Sequence, residues 1–228
     1  MRKAIMVFGP PGAGKGTQAN LLAAKLALLH FDTGRYIEQV VHNPANQNNP
    51  EIDKFRVDFD EGRLINPAWV YKIVKEGTQK ILDSGFGVVF SGSPRTYDEA
   101  FEAETPDKGF IHFLEQTLGR ENMRAVLLNV GPETSIKRNS NRLICSVCGT
   151  AVMYHEHQKP EFCPICGGLF KRRTLDTPEI IKVRLQEYKN RTEPIIDGLK
   201  KRGFEVIEVD GEPLPYQVFE EVLKRLEI

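Results

Sequence analysis

The chain carries no excess of charge of either sign: 31 Lys and Arg stand against 31 Asp and Glu over 228 residues. A protein bound along a nucleic-acid backbone usually shows a basic surplus, and one lying on an anionic membrane shows a basic amphipathic face, so the totals argue against both partners. Long apolar runs are missing as well. None approaches the roughly 20 residues of a membrane-spanning helix. The apolar run at 4–8, after Met1-Arg2-Lys3, is too short for a leader and enters Gly9-Pro10-Pro11-Gly12 without a small-residue cleavage pattern. It is read as a buried strand of a cytoplasmic protein. Cysteine is scarce and confined, with all four thiols between Cys145 and Cys166. That placement points to one local device rather than a disulfide framework spread through the fold.

What is present is an alternation. Short apolar runs at 4–8, 29–31, 87–90, 125–130 and 204–209 read as strands. They are mostly unalternating, as strands buried on both faces should be. Helical patterns at 14–28, 34–41, 67–82, 97–104, 111–118, 133–142, 178–201 and 216–226 separate them. This order predicts an α/β fold, a parallel five-stranded sheet with helices on both faces. Two segments break the rhythm and read as inserted lobes: the Asn-rich turn at 42–50 with the amphipathic stretch up to Gly62, and the cysteine-bearing stretch 143–175.

The first strand runs into Gly9-Pro10-Pro11-Gly12-Ala13-Gly14-Lys15-Gly16-Thr17, which opens a helix. In that context a glycine-rich turn is a phosphate site. Its backbone N–H groups converge on phosphate oxygens, the helix N-terminus adds its dipole, and Lys15 adds a point charge. Gly16 separates Lys15 from Thr17, where the general motif has the hydroxyl residue directly after the lysine.

Cys145-Ser146-Val147-Cys148 and Cys163-Pro164-Ile165-Cys166 are two C-x2-C pairs, each followed by glycine. Four thiolates so spaced can surround one Zn²⁺ tetrahedrally. A redox dithiol or a disulfide pair, and a nucleic-acid-binding zinc ribbon using Lys171-Arg172-Arg173, are the competing readings.

The variant loop Gly14-Lys15-Gly16-Thr17-Gln18 resembles that of the adenylate kinase family, and the likeness extends over nearly the whole chain. Asp32-Thr33-Gly34 resembles the start of the family's acceptor-nucleotide lobe, and Gly62-Arg63-Leu64-Ile65 its end. Gly92-Ser93-Pro94-Arg95-Thr96 is similar to the family's Asp-Gly-Phe-Pro-Arg-Thr, 184–188 with 192–196 to the long helix after the lid, and 210–213 to the turn against the ATP base. The resemblance implies a P-loop core at 1–32, 67–142 and 176–228, a lobe for the nucleoside monophosphate at 33–66, and a zinc-bearing lid at 143–175. It implies phosphoryl transfer from ATP to a nucleoside monophosphate, with Mg²⁺ accompanying ATP and structural Zn²⁺ in the lid. A monomer acting on small nucleotides follows, without nucleic-acid or membrane partners.

The same resemblance implies the site. Gly12, Ala13, Gly14, Lys15, Gly16 and Thr17 hold ATP, with Arg138, Arg142 and Pro213. Thr33, Arg35, Arg63, Leu64, Ile65, Gly92, Arg95, Glu99, Arg173 and Arg184 hold the acceptor. Lys15, Arg95, Arg138, Arg142, Arg173 and Arg184 stabilise the charge of the moving phosphoryl group, a role that suits an always-charged bidentate side chain. Arg138 and Arg142, four apart, are expected on one face of the helix entering the cysteine lobe. Tyr154 is placed against the adenine.

Four departures from the family pattern bear on the site, the first involving two positions. Glu38 replaces the arginine that grips the acceptor phosphate, with Arg35 in place of an acid one turn earlier. Ser91 stands where an aspartate orients the waters of Mg²⁺, and Leu175 replaces one of two hinge aspartates, leaving Asp176. Glu99 replaces a glutamine that reads the acceptor base; a carboxylate only accepts hydrogen bonds, which suits the N–H groups of guanine. GMP or another acceptor, and a weakened nucleotide-binding pseudo-kinase, therefore stand as alternatives to AMP.

Overall fold

The computed structural model describes residues 3–61, 63, 65–102, 108–153, 160–172 and 176–228. In chain order the elements are β1 Ala4–Phe8, α1 Lys15–Leu26, β2 Leu29–Phe31, α2 Thr33–Val41, α3 Pro50–Asp60, α4 Pro67–Asp83, β3 Val88–Phe90, α5 Phe110–Leu118, β4 Met123–Asn129, α6 Pro132–Ser140, β5 Arg142–Cys145, β6 Ala151–Met153, β7 Phe170–Lys171, α7 Pro178–Glu187, α8 Glu193–Lys201, β8 Val206–Asp210 and α9 Pro215–Arg225. Three helices start on the same local device, a capping side chain followed by proline. Asn49, Asn66 and Thr177 accept backbone N–H bonds ahead of Pro50, Pro67 and Pro178. The proline ring presets the helical φ at a position where its missing N–H costs nothing.

β2-β3-β1-β4-β8 form the parallel sheet that the alternation predicts. Its central strands are buried on both faces, and the two faces pack separate apolar clusters. One gathers Met6, Phe90, Phe110, Leu114 and Ile195, the other Ile5, Val7, Leu22, Leu128 and Val222. β6-β5-β7 form a second, small antiparallel sheet that carries the cysteines. Among the described residues no helix is long and apolar enough to cross a membrane.

Two expectations need correction. The helix expected over 133–142 ends at Ser140, and Arg142 opens β5, paired with Met153. The helix expected over 178–201 is interrupted by a wide π turn, Tyr188–Thr192, before α8. Pro194 explains the second. It has no N–H to offer Asn190, and its ring would collide with that carbonyl, so the preceding turn widens.

Candidate functional site

At the C-terminal edge of the parallel sheet, β1 turns through the glycine loop into α1. Gly14 caps the helix with φ 88°, a left-handed conformation that costs glycine nothing, and no side chain competes for the first helical N–H groups. A Cβ on Gly12 would come within 2.6 Å of Asn139 Nδ2 and 3.0 Å of Ser135 O, so the loop is pressed against α6. Ser135 holds it there, its hydroxyl donating to Pro11 O. Nothing lies within 4 Å of the corresponding positions on Gly14 and Gly16, whose outer sides are open, and Thr17 is exposed. Ala13 is buried beneath the loop.

Lys15 folds back over the loop, its Nζ donating to Gly9 O at 2.7 Å and Pro10 O at 2.9 Å. Burial, then the charges of Arg95, Arg184 and Arg142, push this half-buried ammonium down to about 7, against a smaller opposing pull from Asp32. Three guanidiniums from distant parts of the chain therefore crowd one lysine. Such a group of like charges is stabilised by a polyanion.

Arg142 makes a bidentate bridge to Asp176, at 2.7–3.0 Å, and Arg184 reaches the same carboxylate at 3.3 Å. The Asp176 side chain is only 3% exposed. Arg95 donates from Nε to Gly92 O at 2.9 Å, and Thr192 donates to the Arg95 carbonyl. Arg138 goes elsewhere. Its guanidinium donates to the carbonyls of Gly211, Glu212 and Pro213, at 2.7, 2.8 and 3.4 Å, pinning the turn after β8. With Arg142 in a strand, the two side chains expected on one helix face diverge.

At the start of α2 the buried Thr33 hydroxyl donates to Ser93 Oγ at 3.0 Å. Glu99 is buried, with Oε2 accepting the Arg95 backbone N–H at 2.8 Å and Oε1 without a hydrogen-bond partner among the described residues. Burial pushes its carboxyl up, against the pull of that N–H and of Ser93. Half-buried Glu38 lines an open hollow with exposed Arg35, His42 and Asn43. The Arg35 guanidinium also lies against the cysteine sheet, where a Cβ on Gly149 would be 2.8 Å from its Nη1. Arg63 pairs with Asp58 and Glu61 of its own lobe, and Ile65 is buried. Arg173, Leu64, Gly62, Tyr154 and Leu175 lie outside the described residues.

In the small sheet the four sulfurs lie within 4.8 Å of one another. Cys145 and Cys166 Sγ are 3.4 Å apart, and Cys148 and Cys163 Sγ 3.7 Å. Disulfide sulfurs would be about 2.05 Å apart; four ligands at about 2.3 Å from one ion stand roughly 3.8 Å apart. The two turns are built alike, Gly149 and Gly167 each at φ 72° and each N–H donating back to the first cysteine's carbonyl. Thr150, through its hydroxyl 3.1 Å away and its N–H, draws the Cys148 thiol down to about 6, toward the thiolate that a metal needs. The donor set and spacing fit a metal ion.

Sequence reasoning missed Asp176 as a shared anion for two arginines, and the brace from Ser135 and Asn139. It also missed a chain in which His30 meets Asn20 Oδ1 at 2.6 Å and Ser91 Oγ at 2.5 Å. Each joins residues far apart in sequence, and no local pattern marks them.

The family described as adenylate kinase matches residues 7–204. The adenylate kinase of Caldicellulosiruptor bescii is 34% identical over 227 residues, spanning 98% of this chain and 99% of the relative. That of Petrotoga mobilis is 32% identical over 225 residues, 97% of this chain and 94% of the relative. The Chlamydia pneumoniae adenylate kinase is 32% identical over 222 residues, 96% and 95% of the two chains.

Proposed function

The chain belongs to the adenylate kinase family, and on that premise we propose that it transfers the terminal phosphoryl group of ATP reversibly to AMP, giving two ADP. The observation that carries this reading is the convergence of Arg95, Arg142 and Arg184 on Lys15 at the mouth of the glycine loop. Phosphoryl transfer leaves little covalent work for a protein; it needs two nucleotides held in line and the charge on the moving group balanced.

On this reading ATP lies on Gly12 to Thr17, with its base against the turn that Arg138 pins at Pro213. AMP lies between the 33–66 lobe and Arg95, contacting Thr33, Arg35, Arg63, Leu64, Ile65, Gly92 and Glu99. Arg184 and Arg173 reach the acceptor phosphate and the moving group. Closure of the 33–66 and 143–175 lobes over the core at 1–32, 67–142 and 176–228 excludes water, so the phosphoryl group goes to AMP rather than to hydrolysis. The AMP oxygen attacks the γ-phosphorus, the bond to the β-phosphate oxygen breaks, and Lys15 with the arginines compensates the charge in flight. No protein nucleophile is needed.

Mg²⁺ accompanying ATP would neutralise part of the phosphate charge. Cys145, Cys148, Cys163 and Cys166 would hold Zn²⁺ on this reading, and the ion would serve a structural role in the lobe. The protein works as a monomer in the cytoplasm. Incubation with ATP, Mg²⁺ and each of AMP, GMP, CMP and UMP tests the proposal. ADP formation with AMP as preferred acceptor is expected, and ATP binding without ADP formation from AMP would sink the reading.

A further inference from the structure

β2 and β3 run parallel with His30 beside Val89 and Phe31 beside Phe90. The Ser91 N–H continues the ladder, donating to Phe31 O at 3.3 Å. Asp32 and Ser91 therefore leave the sheet side by side at its C-terminal edge. β3 also pairs with β1, Met6 beside Phe90, so this corner adjoins the phosphate loop. In phosphate-loop proteins the nucleotide's Mg²⁺ is held between a loop hydroxyl and an acid ending a neighbouring strand. The neighbouring strand here ends on an uncharged serine. The register puts an acid one strand further out, at Asp32.

The surroundings of both residues fit that role. The charge of Asp32 is felt by Lys15 and by His30, so the carboxylate lies near the lysine of the loop. Its Oδ1 accepts the Arg35 N–H at 3.2 Å as the cap of α2, and a carboxylate carries further lone pairs that a ligand can use. Ser91 is equally constrained. Asn20 Oδ1 can only accept, so His30 Nδ1 carries the proton and Nε2 receives the Ser91 O–H. With its proton committed, Ser91 offers only lone pairs. Metal-bound waters present hydrogens outward, and acceptors are what orient them.

We propose that Asp32 supplies the negative charge that positions the hydrated Mg²⁺ of the bound nucleotide, with Ser91, its proton held by His30, as a neutral second acceptor. The inference rests on the reading that ATP occupies the glycine loop. Residues that orient a metal's own ligands typically govern about 10–100-fold in metal affinity.

The test uses the full chain, Mn²⁺ as probe and the non-hydrolysable analogue AMP-PNP, with bound Mn²⁺ counted by electron paramagnetic resonance and AMP-PNP affinity measured with and without the metal. Asp32→Asn retains a good helix cap while deleting the charge. It is expected to weaken Mn²⁺ binding to the nucleotide complex by about tenfold or more, while metal-free AMP-PNP affinity holds or rises. A merely structural defect would lower both. Asp32→Asn combined with Ser91→Asp returns the charge one strand inward and is expected to recover Mn²⁺ affinity. Unchanged Mn²⁺ affinity in Asp32→Asn, with AMP-PNP still bound by the unaltered protein, overturns this inference alone. Failure of the unaltered protein to bind AMP-PNP overturns it together with the nucleotide reading.

Discussion

The five-stranded sheet is held by apolar side chains on both faces, whereas the three-stranded cysteine sheet is nearly without a core. Around the first, Phe90, Phe110, Leu22 and Leu128 are fully enclosed. In the second, Leu143, Cys145 and Cys163 are the buried apolar residues among those described, while Val147, Met153, Phe162, Ile165 and Leu169 lie exposed. A lobe of this size cannot bury enough surface to offset its chain entropy, so something else must close it. The four sulfurs are placed to do so. The difference teaches that the two regions can fail separately. A carboxylate shared by Arg142 on β5 and Arg184 on α7 links them.

The strongest challenge to this contrast is removal of the metal. Apparent binding energies of structural zinc sites run to about 10–16 kcal/mol in isolated peptides. A chelator is therefore expected to abolish hydrogen-exchange protection of β5–β7 while β1 and β4 amides keep theirs; equal loss in both sheets would erase the distinction. Next come paired truncations followed by urea unfolding. Phe90→Ala should cost about 3–5 kcal/mol through the cavity it leaves, and Phe162→Ala, on the exposed side of the lobe, within about 0.5 kcal/mol.

Lys15→Met should lower kcat/KM for ADP formation by about 10²–10³-fold, or 2.7–4 kcal/mol of transition-state stabilisation. Protection in the cysteine sheet should stay unchanged. The smallest expected effect is a proton. With Lys15 held at about 7 by burial and its arginine neighbours, phosphate binding should raise it and draw in a proton. Calorimetry of AMP-PNP binding in buffers of different ionisation enthalpy should show uptake near pH 8, fading below about pH 6 where Lys15 is already charged. Uptake that ignores pH would mean that the like charges around Lys15 are not what phosphate relieves.

Much of this was legible in the sequence wherever the signal was local. The glycine loop follows a strand and opens a helix within nine residues, and the paired cysteines announce their own cluster. Five short, mostly unalternating strands implied a parallel sheet buried on both faces. What escaped depends on partners distant in the chain. Arg142 continues a helical pattern, yet pairing with Met153 draws it into a strand. Glu99 carries no mark of burial in the sequence, and only the fold turns it inward onto the Arg95 N–H. Asp176 carries no mark of its burial between two arginines. Pro194 is plain in the sequence, but the wide turn before it arises only because the helix continues past the ring.

Asp176 also makes the cleft resemble an ion-exchange resin already loaded with its counter-ion. The two guanidiniums do not wait bare for a phosphate; a tethered anion occupies them and cannot diffuse away. On the proposed reading, each substrate phosphate arriving there displaces a carboxylate and each product leaving is replaced by it. Affinity then reports the difference between two anions rather than the full strength of either. A site so arranged can have dense positive charge without holding its product indefinitely.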